Sequence, residues 1–239
     1  MSATETPVPP TQSHPHESNG QPAFVPALII IDMQNDFVSG SLAVPGAASI
    51  IDNINSLLDL PWRVRVATRD FHPDNHVSFA HTHGRPLLSK VVIYHPEDTK
   101  RASGIEQVMW PVHCVAHTNG ADFVDGLDSK KFDVTVSKGT HSHIESYSAF
   151  MDIWGRNTTE LPLILEELRV TDVFLVGLAG DYCVKYTAAD AVQFGYKTWL
   201  LTDAVKSISN EEVALQEVSK KGVLLTTCRE VIQRLGNGV

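Results

Sequence analysis

Cys183 stands at a position where a cysteine can act as a nucleophile. An apolar run over 173–176, typical of a buried strand, leads into a turn of mostly small residues over 177–180, and the sequence then predicts a helix over 184–194. The thiol lies at the first turn of that helix, where the helix dipole favours the reactive thiolate. We therefore expect a lowered pKa for Cys183. A buried, unreactive thiol is the alternative for an isolated cysteine.

Three charged residues stand at or just beyond the carboxyl ends of other predicted strands: Asp32, Asp70 and Lys138. In an open parallel sheet, ligands bind at the edge that those ends share. An acid, a cation and a thiol form a set for nucleophilic catalysis, in which Asp32 accepts the proton of Cys183 and Lys138 stabilises the ionised pair. Taken singly, Asp32 could instead cap a turn, and Lys138 could be a solvated surface lysine.

A second cluster of polar residues spans 69–76 and predicts a metal site. Asp70 and His72 are two positions apart at a strand end, so both side chains can face the same way. His113, in the segment 110–114, could supply a third ligand. Two histidines and one carboxylate leave coordination positions open, as a catalytic or substrate-binding metal requires. His76 is either a fourth ligand or a group that supports the ligands from behind. Other histidines compete for these roles: His81, His83, His117, His141 and His143.

The elements that must hold these residues alternate between strand and helix. Strands are predicted over 27–31, 63–68, 91–94, 133–136, 173–176, 197–201 and 223–226, and helices over 47–58, 161–168, 184–194, 211–220 and 229–235. Near-continuous apolar strands that alternate with helices are typical of a parallel sheet covered on both faces. We predict an α/β fold with three α/β/α layers and a mostly parallel, doubly wound sheet. A single domain would span 24–239, after a disordered tail over 1–23 that is rich in proline and polar residues.

Composition narrows the function classes. The chain has 239 residues and a net charge of −9, which argues against a nucleic-acid partner. No apolar run is long enough to span a membrane, and no signal peptide is recognisable. Three cysteines are too few for a disulfide framework, which favours a reducing compartment. We expect a cytoplasmic protein, with the nucleus as a second location.

Five motifs, in this order along the chain, resemble those of the nicotinamidases among the isochorismatase-like cysteine hydrolases. They are Asp32-Met-Gln-Asn-Asp36-Phe37, Asp70-Phe-His72-Pro, Trp110-Pro-Val-His113-Cys114, Ser137-Lys138-Gly and Leu178-Ala-Gly-Asp-Tyr182-Cys183-Val. The likeness covers about 27–227. The whole superfamily shares the sheet and thiol, whereas the two metal motifs are more specific to nicotinamidases. The long stretch between those two motifs resembles the fungal or yeast type.

The resemblance implies an isochorismatase-like hydrolase fold and an amidohydrolase of NAD salvage. Such an enzyme converts nicotinamide to nicotinate and ammonia through a cysteine thioester. The implied catalytic triad is Asp32, Lys138 and Cys183. The implied ligands of a divalent metal ion, zinc being the expected one, are Asp70, His72 and His113. The metal would orient the pyridine ring.

The resemblance also implies the remaining parts of the pocket. The backbone N–H groups of Ala179 and Cys183 would form the oxyanion hole, and the peptide bond before Ala179 is typically cis in these enzymes. Four aromatic residues match positions that wall the ring pocket: Phe37, Trp110, Tyr147 and Tyr182. Phe150 is a rival to Tyr147, and an ordinary core or surface aromatic is the alternative for either residue.

Two other functions remain open at this point. The chain could be another amide or ureido hydrolase of the same superfamily; such relatives share the triad but usually lack the full metal set. It could also be a non-catalytic protein that binds a small molecule, because a fold does not fix a function. A homo-oligomer is a further possibility, with the irregular stretch 84–107 as its interface.

Overall fold

The computed structural model describes residues 24–236, so the predicted tail over 1–23 and residues 237–239 lie outside the described part. The strands are β1 (Pro26–Ile31), β2 (Val64–Asp70), β3 (Lys90–Ile93), β4 (Ile105–Val108), β5 (Val134–Lys138), β6 (Asp172–Gly177), β7 (Lys197–Val205) and β8 (Leu224–Thr226). The α-helices are α1 (Asn35–Val38), α2 (Ile51–Leu57), α3 (Ala80–His83), α4 (Leu161–Glu167), α5 (Cys183–Gln193), α6 (Glu211–Lys220) and α7 (Cys228–Gly236). Short 3-10 helices span Ala47–Ile50, Asn119–Ala121 and Ser129–Lys131.

The main sheet has six strands in the order β5-β2-β1-β6-β7-β8, and all of its neighbouring pairs are parallel. The chain runs outward from β1 to β2 and β5, then returns to β6 beside β1 and runs outward again to β7 and β8. The strand order therefore reverses between β1 and β6. In open α/β sheets this reversal opens a crevice at the carboxyl ends of the strands, where ligands bind.

Alternating side chains of the central strands pack into two separate hydrophobic cores, one on each face of the sheet. Leu28 and Ile30 of β1 pack in the core that also holds α2 and α7, whereas Ile29 and Ile31 pack in the core under α4 and α5. Every residue of β1 and β6 is buried, which explains their continuous apolar sequences. The predicted three-layer, doubly wound α/β fold is confirmed.

The structure departs from the predicted elements mainly between β2 and β5. The strand predicted over 91–94 is present as β3, but it pairs only with β4 in an antiparallel hairpin apart from the main sheet. Strand β4 was not expected, because its four residues of mixed polarity carry too short a pattern. The one-turn helices α1 and α3 were not expected either. The other predicted elements match to within a few residues, β7 being longer than expected.

Candidate active site

Four chemically active side chains meet at the reversal of strand order. Asp32 directly follows β1, Asp70 ends β2, Lys138 ends β5, and Cys183 opens α5 after β6. Parallel pairing of β2 with β5 places Asp70 beside Lys138, and pairing of β1 with β6 places Ile31 beside Gly177. The register of the sheet alone therefore brings these four residues to one edge.

Lys138 lies at the centre of this group and is only 2% exposed. Its Nζ is 2.9 Å from Asp32 Oδ2 and 3.3 Å from Cys183 Sγ, and it donates a short hydrogen bond to Asp70 Oδ1. Lys138 Nζ also donates to the Ser146 carbonyl at 3.4 Å, so its three N–H donors go to Asp70, Cys183 and Ser146, while Asp32 Oδ2 forms an ion pair with it. Burial would lower the pKa of Lys138, but the two carboxylates outweigh burial and raise it well above the usual value. The side chain is therefore a fixed positive charge.

Asp32 is oriented by Thr68, a residue that was not among the predicted site residues. The Thr68 hydroxyl donates a 2.6 Å hydrogen bond to Asp32 Oδ1. The other oxygen, Oδ2, accepts no hydrogen bond from the described residues and faces Lys138. Burial raises the pKa of Asp32, while Lys138 and Thr68 oppose that rise. Oδ2 is consequently the free acceptor of this carboxylate.

The predicted lowering of the Cys183 pKa is wrong for the free enzyme. The residue does open a helix as expected, but it is only 5% exposed. Burial raises the pKa of the thiol well above its usual value; Lys138 lowers it, and the Asp32 and Asp70 carboxylates raise it further. Burial depends on the whole fold and cannot be read from the strand–turn–helix pattern. The resting Cys183 side chain is therefore a neutral thiol, which would need a base in order to act as a nucleophile.

The turn between β6 and α5 is shaped around backbone N–H groups. A Cβ on Gly177, which has φ 112°, would lie 2.1 Å from the Ile31 carbonyl oxygen, so only glycine fits there. The Leu178–Ala179 peptide bond is cis, as the resemblance led us to expect. The Ala179 carbonyl accepts the N–H groups of Tyr182 and Val184. Among the hydrogen bonds of the described loops and caps, none uses the N–H of Ala179 or Cys183. Both N–H groups remain available as donors.

Asp70, His72 and His113 converge on a point beside the thiol group. Their ligand atoms all lie within 4.8 Å of one another. Asp70 Oδ2 is 3.5 Å from His72 Nε2 and 3.9 Å from His113 Nε2. Each imidazole donates its Nδ1–H to a carbonyl, His72 to Gly139 at 2.8 Å and His113 to Pro111 at 2.7 Å. In a neutral ring, this arrangement leaves the lone pair of Nε2 available to coordinate a metal ion.

The charges at this point also fit a divalent cation. Burial would lower the pKa of His72, but the Asp70 carboxylate outweighs burial and raises it, so the site favours positive charge. Burial lowers the pKa of His113 to about 4, which keeps its ring neutral and able to coordinate near pH 7. The donor set therefore fits a divalent metal ion held by Asp70, His72 and His113.

Asp32, Asp70 and Cys183 form another group whose ligand atoms lie within 4.8 Å of one another. The Lys138 ammonium already contacts all three side chains, so a cation occupies this position. We therefore assign the metal to the histidine-containing group alone.

His76 packs behind the metal group rather than within it. Its ring stacks on that of His72, with ring centroids 4.0 Å apart. Its Nδ1 pairs with the Ser78 hydroxyl at 2.8 Å, and its Nε2 lies 3.2 Å from the Ile144 carbonyl. Both nitrogens thus have partners other than a metal, and a supporting role for His76 stays a prediction. The competing histidines, His81, His83, His117, His141 and His143, contribute to no metal group found among the described residues.

A narrow pocket opens above Cys183. All four predicted wall residues line it: Phe37, Trp110, Tyr147 and Tyr182. Phe150, the rival of Tyr147, is instead buried in the core and stacks on Phe194. Leu42 and Ile208 also line the pocket and were not predicted, because both are ordinary apolar residues in loops. Most of the lining residues are aromatic or apolar, which suits a small aromatic ring.

Buried polar residues that support the site carried no recognisable sequence signal. Gln34 Nε2 donates to the Asp70 carbonyl at 2.8 Å, and Gln34 Oε1 accepts the Asp70 N–H at 2.8 Å. Asp36 Oδ2 accepts the N–H of Cys114 at 2.7 Å, which fixes the residue after His113. Gln34 and Asp36 occur within a quoted motif, but their partners are 36 and 78 positions away and become neighbours only in the fold.

Comparison with known proteins places this architecture in a family. The model of the isochorismatase domain matches residues 26–230. The chain belongs to the isochorismatase family. Saccharomyces cerevisiae nicotinamidase is 39% identical over 202 residues, which cover 81% of this chain and 94% of the yeast protein. None of the helices within 24–236 is long and apolar enough to cross a membrane.

Two solved structures in this isochorismatase family resemble the chain closely. Yeast nicotinamidase bound to the inhibitor nicotinaldehyde superimposes with a TM-score of 0.80 at 36% identity, covering 84% of this chain and 99% of the yeast chain. Pyrazinamidase of Pyrococcus horikoshii in complex with zinc gives a TM-score of 0.66 at 36% identity, covering 85% and 99% of the two chains. The family and the fold expected from the motifs are thus confirmed.

Proposed function

We propose that this isochorismatase-family enzyme hydrolyses nicotinamide to nicotinate and ammonia in NAD salvage. One observation carries the proposal. Asp70 uses Oδ1 to bind Lys138 of the thiol group, and its Oδ2 faces His72 and His113 of the metal group. A nucleophile and a metal site therefore share one carboxylate at the floor of a small aromatic pocket. Nicotinamide needs both, since it offers an amide carbon to a thiol and a ring nitrogen to a metal.

In the proposed acylation step, Asp32 Oδ2 removes the proton from Cys183 as the sulfur attacks the amide carbon. Lys138, in contact with both groups, stabilises the charges that appear on them. The N–H groups of Ala179 and Cys183 donate to the developing oxyanion. Loss of one such donor typically costs about 2.7–4 kcal/mol of transition-state stabilisation. Asp32 then returns the proton to the leaving nitrogen, the carbon–nitrogen bond breaks, and ammonia departs.

In the proposed deacylation step, water hydrolyses the thioester. Asp32 accepts a proton from water as the oxygen attacks the carbonyl carbon, and the same two N–H groups hold the second oxyanion. The carbon–sulfur bond breaks, the proton returns from Asp32 to Cys183, and the product leaves as nicotinic acid, which loses the second proton of the water to solvent and becomes nicotinate. Burial raises the pKa of Asp32, which makes this carboxylate a stronger proton acceptor than an ordinary aspartate.

We propose zinc as the resident ion, held by Asp70, His72 and His113. Two neutral imidazoles and one carboxylate, with positions left open, are typical of catalytic zinc. When bound there, the ion supplies a Lewis acid that orients the substrate ring and polarises nearby oxygen atoms. The pocket walls Phe37, Trp110, Tyr147 and Tyr182 would enclose the ring. We also propose a cytoplasmic location, which the three unpaired thiols support.

The test is ammonia release from nicotinamide by the purified protein, measured as isolated, after chelation, and after zinc is restored. We expect release that chelation abolishes and zinc restores. Absence of release from the zinc-loaded protein would refute the proposed substrate. Ureido compounds and other amides, tested in parallel, would then identify another hydrolase of this superfamily. Release that persists unchanged in the fully metal-free protein would refute the metal assignment alone.

A further inference from the structure

Gln107 is a buried polar residue that the reaction described above does not use. It lies in β4, outside the main sheet, and is 1% exposed. Its Nε2 donates to the Val108 carbonyl at 2.8 Å and to the Tyr147 hydroxyl oxygen at 2.6 Å, and Glu145 Oε2 lies 3.4 Å from the same nitrogen. Because a carbonyl can only accept, the amide must present its nitrogen to this side. The second N–H of that nitrogen is directed at Tyr147 Oη, which at 2.6 Å is much nearer than Glu145 Oε2 at 3.4 Å.

Tyr147 receives another donor at the same oxygen. The Trp110 indole N–H lies 3.0 Å from Tyr147 Oη. A phenol oxygen has two lone pairs and one proton, so two donors fill its acceptor capacity. Burial raises the pKa of Tyr147 well above its usual value, with nearby Glu145 adding to the rise, so the hydroxyl keeps its proton. The O–H of Tyr147 can then act only as a donor.

Tyr147 and Trp110 both line the pocket above Cys183. Their rings also pack against another aromatic wall residue, Tyr182, at centroid distances of 5.4 and 4.8 Å. Gln107 itself is not a lining residue. It contacts the pocket wall through the Tyr147 hydroxyl oxygen, which also accepts the Trp110 N–H.

We propose that Gln107 is a positioning residue that presets the substrate pocket by holding the Tyr147 hydroxyl in a fixed orientation. The amide donor, together with Trp110, locks the two aromatic walls to each other and leaves the Tyr147 proton free to donate to the bound substrate. The β3–β4 hairpin thereby contributes to substrate binding without touching the substrate. The inference deepens the proposed function and rests on it.

The kinetic consequence is an effect on binding rather than on chemistry. Wall contacts are made equally by the bound substrate and by the transition state, so their loss raises KM and leaves kcat nearly unchanged. Gln107→Leu removes a donor and leaves the Tyr147 oxygen and the Val108 carbonyl short of partners. We expect KM for nicotinamide to rise about 5- to 50-fold, as for the loss of a buried hydrogen bond.

A double-mutant cycle separates positioning from a general structural effect. Gln107→Leu, Tyr147→Phe and the double variant are compared for KM, kcat, bound zinc and melting temperature. If Gln107 acts through the Tyr147 hydroxyl, the double variant has the KM of Tyr147→Phe alone. Gln107→Glu preserves shape but presents an acceptor in place of the donor, so it should raise KM as Leu does. It also keeps the test valid if the Leu variant does not fold. Gln216→Leu on the exposed face of α6 is the matched control. It should leave KM, kcat, bound zinc and melting temperature unchanged.

Additive effects on KM, or a loss of kcat or zinc that exceeds the change in KM, would overturn the assignment of Gln107. So would a Gln107→Glu variant with wild-type KM. A wild-type protein that releases no ammonia from nicotinamide would refute the proposed function, and the inference with it. The two failures are therefore distinguishable in one set of assays.

Discussion

Replacement of Gly139 by alanine is expected to disable the metal group while the rest of the fold persists. Gly139 follows β5 directly and has φ +62°. A Cβ at this position would lie 2.3 Å from His72 Cε1 and 2.5 Å from His72 Nδ1. The imidazole cannot easily yield, because it is stacked on His76 at 4.0 Å and packed against Phe79 at 5.5 Å between ring centroids. The substitution therefore forces His72 away from its present position.

Two costs add in this variant. A left-handed conformation costs an alanine about 1–2 kcal/mol, and overpacking of a buried site costs about 1–3 kcal/mol more. The displaced ring also loses the hydrogen bond from Nδ1 to the Gly139 carbonyl, which holds Nε2 toward Asp70. Loss of such a partner typically lowers metal affinity by about 10- to 100-fold. We expect zinc affinity to fall in that range and activity to fall with it at limiting zinc.

Gly84→Ala provides a matched control for backbone strain. Gly84 has φ +57°, and a Cβ there meets no atom within 4 Å. Both variants carry the left-handed alanine, but only Gly139→Ala contacts His72. Zinc affinity would be measured by competition with a chromophoric chelator, and unfolding by thermal melting. If Gly139→Ala binds zinc as tightly as Gly84→Ala does, the proposed role of His72 as a ligand held by Gly139 is refuted.

Three further substitutions test the proposed catalytic roles. Cys183→Ala should abolish ammonia release while zinc content and melting temperature stay near wild type; retained turnover would show that another group is the nucleophile. His113→Ala should lower bound zinc, by elemental analysis, and raise KM for nicotinamide; unchanged zinc would exclude it as a ligand. Thr68→Val should lower kcat/KM roughly 10-fold near neutral pH, because it removes a hydrogen bond to a charged carboxylate. Since the Thr68 bond lowers the pKa of Asp32 against burial, its loss raises that pKa further. The base must be deprotonated to act, so the acid limb of the kcat/KM profile should move to higher pH; an unmoved limb would contradict Asp32 as the base.

The parts of the site that could be predicted from the sequence are those fixed by strand ends. Continuous apolar runs locate β1 and β6, and the residue after a buried strand must emerge at the carboxyl edge of the sheet. Asp32, Asp70 and Lys138 follow from that rule without knowledge of the fold. Their pairwise distances depend only on which strands are neighbours, and a parallel sheet brings their ends together whatever the loops do.

The parts that could not be predicted depend on contacts between distant segments. Thr68 and Gln107 are unremarkable in the sequence, and each gains a role only when its partner, 36 or 40 positions away, folds beside it. The choice of Tyr147 over Phe150 depends on the path of an irregular loop, which has no periodicity to read. The pKa of Cys183 was predicted with the wrong sign because helix position is a local property, whereas burial is a property of the whole fold.

The central position of Lys138 explains why the thiol and metal groups form one site rather than two. Its ammonium contacts Asp32, Cys183 and Asp70, so each of these side chains is held relative to the other two. The second oxygen of Asp70, Oδ2, faces His72 and His113, so the position of Asp70 also fixes this carboxylate relative to the two imidazoles. An arginine could not replace Lys138. The donors of its planar guanidinium group lie in one plane, so they cannot all point at three partners that surround one nitrogen. One lysine and one aspartate at adjacent strand ends therefore hold the thiol of Cys183 in place relative to the histidine pair. In the proposed reaction, that fixed arrangement would suit a substrate whose amide and ring nitrogen are held rigidly by one aromatic ring.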